Sequence, residues 1–260
     1  MQISVTDFEN SWADQTRAES YSKLEFPNTY YLAYRDLPKI IQDHTGGRSA
    51  IDFGCGTGRS TRFLKELGFN VTGIDISNDM LQIARSFDKT GDYQLVSNGI
   101  YSHLGNGKYD LVQSIFTFDN IPGWENRTRI LIGLRDLLNM NGKIVCLDST
   151  PELYTNEWAS FSTLSFPDNW NAKTGDIVRD IMLDVEDRRP VEDIFWTLDD
   201  YYKLFDCAGL SVDSLYKPLG FPDEPFDWVS EISIAPWMIF VLSKKRIRID
   251  AATNKDKEVQ

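Results

Sequence analysis

The chain has 260 residues, 42% of them hydrophobic and 25% charged, which lies in the ordinary globular range and suffices for one sizeable core with insertions. A formal charge of −12 disfavours nucleic acid as a partner, because affinity for polyphosphate comes from lysine and arginine displacing counterions. No apolar run reaches membrane-span length, the N-terminus shows no signal-peptide pattern, and Cys55, Cys146 and Cys207 lack CxxC spacing, so a cytoplasmic, reducing setting without membrane contact, disulfide framework or zinc site is expected.

In chain order, Asn28 is placed to cap a helix running to about His44, which Thr45-Gly46-Gly47 then breaks. An apolar strand over 49–53 leads through the turn Gly54 to Gly58 into a helix over about 59–67, ended by Gly68. A second strand over 70–74 is followed by Ser77 as the cap of a helix carrying Met80, Leu81 and Ile83. Strands over 93–96 and 109–115 come next, then a helix over about 124–138 with Ile130, Leu131, Leu134 and Leu137 on one face. Asn141-Gly142 turns into a fifth strand over 143–147. Thr197 caps a helix ending near Gly209, and strands over 210–216 and 237–242 close the pattern. Such alternation predicts an α/β, doubly wound parallel sheet with right-handed crossovers, plus cap insertions. The expected organisation is a single domain over 1–245, with insertions at about 148–195 and 217–236, and a flexible charged tail over 246–260.

The strongest local signal is Ile51-Asp52-Phe53-Gly54-Cys55-Gly56-Thr57-Gly58 between a strand and a helix. Glycines there allow a tight turn and close approach of the backbone to a nucleotide, while the helix start offers free N–H donors. Asp75 ends the second strand, where a carboxylate accepts hydrogen bonds from ribose hydroxyls. The dinucleotide fingerprint would need a third glycine where Arg59 stands, so an NAD-type oxidoreductase is the weaker alternative.

Asp52 to Gly58, Val71-Thr72-Gly73-Ile74-Asp75-Ile76-Ser77, Tyr109-Asp110-Leu111-Val112 and Leu138-Asn139-Met140-Asn141-Gly142-Lys143 together resemble successive motifs of class I S-adenosylmethionine-dependent methyltransferases. The resemblance covers roughly 30–245 and implies a Rossmann-like, doubly wound seven-stranded sheet, mostly parallel with an antiparallel last strand, plus cap insertions. It implies S-adenosyl-L-methionine as cofactor, with Gly54, Gly56, Thr57 and Gly58 around its methionine part and Asp52 near its ammonium group through water. It also implies Asp75 on the ribose, Ile76 and Met80 on the adenine, and Arg35 opposite the carboxylate. Phe116, at the end of the fourth strand, joins this cofactor set. Where the family has Gly-Asp-Ala this chain reads Ser97-Asn98-Gly99, so the Asn98 amide oxygen and the Gly99 N–H would take over adenine recognition without a charge.

Methyl transfer from a sulfonium needs chiefly a well-positioned acceptor, and a base only where the acceptor carries a proton. The candidates for that role are Asp119 after the fourth strand and Asp148 after the fifth. Asn120-Ile121-Pro122 falls too late to match the amine-methylation motif of nucleic-acid and protein methyltransferases, and no metal site is suggested. The two insertions are rich in aromatic residues, and Trp158 and Trp196 are the candidates for a lid over a small, apolar or aromatic methyl acceptor. A monomer or homodimer is expected. The competing class is a noncatalytic partner subunit that keeps the cofactor fold.

Overall fold

The computed structural model describes residues 15–24, 26–97 and 99–245; the 246–260 tail and Asn98 lie outside them. Strands β1 (Ser49–Phe53), β2 (Asn70–Asp75), β3 (Asp92–Leu95), β4 (Tyr109–Ile115), β5 (Leu138–Ser149), β9 (Leu210–Tyr216) and β10 (Trp237–Lys244) form one sheet in the order β3-β2-β1-β4-β5-β10-β9. The first five are parallel neighbours, and β10 runs antiparallel to both β5 and β9. This is the mostly parallel, Rossmann-like sheet with an antiparallel last strand. Helices α1 (Gln15–Ser22), α2 (Thr29–Arg35), α3 (Leu37–His44), α4 (Arg59–Glu66), α5 (Asn78–Phe87), α6 (Trp124–Leu137) and α7 (Leu198–Cys207) accompany it.

Period-two alternation divides the buried side chains between the sheet's two faces. Ala50, Val71, Leu111, Val145 and Ile239 pack with Leu32, Leu37, Ile41 and Leu64 of α2, α3 and α4. Ile51, Ile74, Val112, Ile144 and Phe240 pack with Ile130, Leu134, Tyr201 and Leu204 of α6 and α7. Both faces are covered, as a parallel sheet requires.

Three local expectations change. The helix expected from Asn28 to His44 is broken at Asp36, which ends α2 and begins α3. Pro38 sits in the first turn of α3 and has no N–H for a continued helix. Asn28 takes a positive φ of 48° and makes no cap; its amide donates to Asp184 at 2.8 Å. The fifth strand starts before Asn141-Gly142 rather than after it, because a register shift between Tyr109 and Leu111 absorbs the extra residues. Gly142 fits there since a Cβ would stand 2.6 Å from the Tyr109 carbonyl oxygen.

The first insertion is not a loop of aromatics. It forms a small antiparallel sheet of β6 (Phe161–Ser162), β7 (Ile177–Met182) and β8 (Val191–Ile194). Along β7 Val178, Asp180 and Met182 are buried while Arg179 is exposed, so one face turns inward. No helix among the described residues is long and apolar enough to cross a membrane.

Candidate active site

A single cavity of about 570 Å³ opens at the carboxyl ends of the parallel strands and runs under the first insertion. Its outer part is built by the turn after β1. Gly54, Gly56 and Gly58 all have positive φ, at 68°, 51° and 81°. Gly54 cannot be replaced, because a Cβ would meet Thr117 at 2.3 Å. The half-buried Asp75 pins this turn: one carboxylate oxygen accepts the Gly56 N–H at 2.9 Å, and the other accepts the Ser77 N–H at 2.8 Å. Each oxygen retains a lone pair toward the cavity that Asp75 lines, which suits ribose hydroxyl donors. Ser77 caps α5 by accepting the Met80 N–H, and Ile76 and Met80 both line this end.

Gly54, Gly56, Thr57, Asp75, Ile76, Met80, Phe116 and Asp119 therefore meet at one cavity. The other expected residues that the structure describes do not line it. Asp52 lies buried behind the turn, held by Ser60 and Thr61 hydroxyls at 2.7 and 2.6 Å, and burial pushes its carboxyl up to about 6. Gly58 packs against Tyr93 and Ala84, and the Gly99 N–H donates to the Tyr101 hydroxyl at 3.1 Å. Arg35 is turned away: it pairs with Glu224 and Asp36 at 2.8 Å and lies over Phe221, 4.7 Å from the ring centre. The cation on the cavity wall is instead Arg59, whose guanidinium stands 4.7 Å from the Tyr21 ring and 5.7 Å from those of Tyr30 and Tyr34. Nothing in the motif reading marks it, because its position depends on α1 and α2 folding over the start of α4.

Asp148 is fully buried off the cavity, accepting from the Phe118 N–H at 3.2 Å and from the Cys146 thiol at 2.9 Å. Burial, with the Asp119 charge beside it, pushes its carboxyl up to about 8. Trp158 is packed in the core with its indole N–H on the Leu153 carbonyl at 2.8 Å. Trp196 stacks on Trp124 at 5.7 Å with the Arg127 guanidinium 4.1 Å over its ring. Neither tryptophan reaches the cavity, and the 217–236 insertion contributes nothing to its wall; it packs on α2, with Phe226 4.9 Å from Tyr31.

The inner part of the cavity has walls that, apart from Phe116 and Asp119, the sequence reading did not select. Tyr30, Phe116, Phe161 and Trp237 form one ring cluster with centroid separations of 4.7 to 5.9 Å. Phe116 holds a positive φ of 55°, a strained backbone for a bulky residue that directs its ring into this cluster. Among the rings lie the buried carboxylates of Asp119, Asp180 and Asp193. Asp119 accepts from the Ser149 N–H and hydroxyl at 3.1 and 2.8 Å, and Asp193 accepts from the Tyr154 hydroxyl at 3.1 Å. Ile177-Val178-Arg179-Asp180-Ile181-Met182 does not alternate apolar with polar residues, so the inward position of Asp180 is visible only in the folded strand.

These buried acids set a stability profile. Asp180 is raised to about 7 and Asp148 to about 8, chiefly by burial, from an ordinary 3.8. Because the folded-state values are raised, their stabilising contribution is complete below about pH 4 and is lost as pH climbs to about 8. Asp187 acts oppositely: its hydrogen bond from Arg189 holds it near 2, so its contribution disappears only in strong acid. Thermal unfolding of the unliganded protein should therefore give its highest midpoint at about pH 5 and a falling one toward pH 8. A midpoint rising steadily to pH 8 would contradict these assignments.

The sheet order, the glycine turn, the acid at the end of β2 and the strand-end cavity define a Rossmann-like nucleotide-cofactor fold. A Methyltransferase domain family model matches residues 51–146. N-demethylindolmycin N-methyltransferase of Streptomyces griseus is 23% identical over 218 residues, covering 80% of this chain and 91% of that protein. Ubiquinone biosynthesis O-methyltransferase of Burkholderia vietnamiensis is 32% identical over 124 residues, covering 42% of this chain and 53% of its own length. Among solved structures, a S-adenosylmethionine-dependent methyltransferase from Clostridium acetobutylicum shares the fold, with a TM-score of 0.60 at 12% identity and coverage of 89% of this chain and 98% of that one. Residues 51–146 thus match a Methyltransferase domain, and S-adenosyl-L-methionine is the cofactor that this match and these relatives support.

Proposed function

We propose that the protein methylates a small molecule held in the inner part of the cavity, by in-line displacement at the cofactor's methyl group. One observation carries this reading: a single cavity, of a size usual for small-molecule sites, joins the glycine turn to the aromatic inner chamber. Bound at the turn, S-adenosyl-L-methionine supplies an electrophilic methyl on a sulfonium. The residues around it orient, shield and discharge. Asp75 holds the ribose, Ile76 and Met80 flank the adenine, and the turn from Gly54 to Thr57 cradles the methionine part. Arg59 faces the carboxylate in the place expected for Arg35. Phe116, Tyr30 and Trp237 exclude water and press the acceptor toward the turn, where near-attack positioning contributes most to the rate. Asp119 orients the acceptor and takes its proton where one must leave.

The relatives support a small acceptor, one being named for N-methylation of N-demethylindolmycin and the other for an O-methylation in ubiquinone biosynthesis. Calorimetry with S-adenosylhomocysteine and with NAD, followed by a screen of phenols, carboxylic acids and amines for S-adenosylhomocysteine release, tests the reading. Binding of the first alone and turnover of a small acceptor are expected; tight binding without turnover of any acceptor would favour a noncatalytic partner subunit. Arg59→Met should weaken S-adenosylhomocysteine binding about tenfold, the usual worth of a charge-assisted hydrogen bond. Equal affinity in calorimetry would show that the carboxylate is held elsewhere.

A further inference from the structure

The inner chamber is charged as well as aromatic. Among the described residues its wall carries Asp119, Asp180 and Asp193, against one basic side chain on the whole cavity, Arg59, which stands 5.7 Å from the Tyr30 ring. Asp180 and Asp193 are diagonal neighbours on the inward face of β7 and β8, where Val178 pairs with Asp193 and Asp180 with Val191. Asp180 is 2% exposed, and its Oδ1 has no hydrogen-bond partner. A buried carboxylate oxygen left unpaired is costly, so such an atom on a cavity wall points to a donor that arrives with the ligand.

The surrounding cations do not serve this purpose. Arg17, whose charge acts on Asp180, donates to the Pro190 carbonyl at 2.9 Å and lies 3.6 Å from Asp187. Arg127, whose charge acts on Asp119, donates to the Ile121 and Phe118 carbonyls. The carboxylates also do not converge as metal ligands do: no three acidic, imidazole or thiol groups among the described residues are close enough to hold a metal ion. Carboxylates and the aromatic rings of Tyr30, Phe161 and Trp237 on one cavity wall are what an organic cation needs, since its N–H groups seek the acids and its charge is attracted by aromatic rings.

We propose that the methyl acceptor is a primary or secondary amine, bound as its ammonium ion by Asp180 and Asp193 and methylated on nitrogen. This rests on the methyl-transfer reading above. The ammonium gives one proton to a chamber carboxylate, which frees the nitrogen lone pair. That pair forms the new N–C bond as the S–C bond breaks, and its electrons pass to sulfur, leaving S-adenosylhomocysteine and an N-methylammonium product. The carboxylate then returns its proton to solvent. Burial, which holds Asp180 at about 7, suits it to that exchange near neutral pH.

The test uses the full chain loaded with S-adenosylhomocysteine and titrated calorimetrically with matched triplets on benzyl and phenethyl frames: the amine, the corresponding alcohol and the corresponding carboxylate. Binding at least tenfold tighter for the amine is expected, and turnover with S-adenosylmethionine should give an N-methyl product by mass spectrometry. Asp180→Asn should lower kcat/KM for the amine roughly 100-fold, mainly through KM, because one partner of a buried charge pair is lost. Its affinity for S-adenosylhomocysteine should be unchanged and its unliganded unfolding midpoint not lowered; should it fail to fold, Asp193→Asn carries the same expectation. No preference for the amine in either triplet, or methyl transfer to the alcohol or carboxylate instead, overturns the proposal. Failure of wild-type protein to bind S-adenosylhomocysteine overturns the methyl-transfer reading itself and is seen before any acceptor is added.

Discussion

Asp75→Ala is expected to lower affinity for S-adenosylhomocysteine by about 2–4 kcal/mol, on the order of 30- to 1000-fold, while the chain still folds. Two losses combine. The carboxylate is the acceptor offered to the ribose, and it also ties the Gly56 N–H at 2.9 Å and the Ser77 N–H at 2.8 Å. Its removal therefore loosens both the glycine turn and the entry to α5 at the moment the ribose contacts disappear. Folding should persist because β2 is held on both sides, by β1 and by β3. Asp75→Asn keeps the shape and one acceptor oxygen, so it should fall between wild type and alanine. Calorimetric titration of the three proteins, with thermal midpoints alongside, decides the matter: unchanged affinity in a folded alanine variant would remove Asp75 from the cofactor site.

Trp158→Ala should act on stability instead. Truncating a buried tryptophan typically costs about 3–5 kcal/mol, and in a chain of this size that lowers the unfolding midpoint on the order of 10 °C. Here Trp158 is 2% exposed and packs within the cluster on the α2–α4 side of the sheet. Its indole N–H satisfies the Leu153 carbonyl at 2.8 Å, an acceptor left unpaired by the substitution. Affinity for S-adenosylhomocysteine per folded molecule should stay within about twofold, since the tryptophan does not line the cavity. Denaturant and thermal unfolding give the first quantity and calorimetry the second. A variant of normal stability that loses turnover would restore Trp158 to the substrate wall.

The contrast between these two residues shows where the sequence was readable. Asp75 sits at a fixed offset from the glycine turn inside one β-α-β unit, so neighbouring elements alone determine what it faces. Trp158 and Trp196 were selected for residue type and for lying in an insertion, and that information carries no direction. Trp196 turned to Trp124 and Arg127 of α6, four strands earlier in the chain. Arg35 is turned away for a related reason: it ends α2 where the expected helix breaks, Glu224 from the second insertion takes its guanidinium at 2.8 Å, and Arg59 comes to the cavity wall.

The sequence by itself determined the strand and helix order, the parallel crossovers, and the glycine turn and its acid. All of these follow from local rules: hydrophobic period, the positive φ of Gly54 and Gly56, the caps at Ser77 and Thr197, and the handedness of parallel crossovers. The tertiary structure alone decided the acceptor chamber. Its wall draws Tyr30 from α2, Phe116 from the end of β4, Asp180 and Asp193 from β7 and β8, and Trp237 from β10. No periodicity links residues more than 200 positions apart, and a buried carboxylate is costly wherever it occurs. Only the packing of β7 and β8 across the strand ends brings those carboxylates onto one cavity, where a ligand's charge can compensate for their burial.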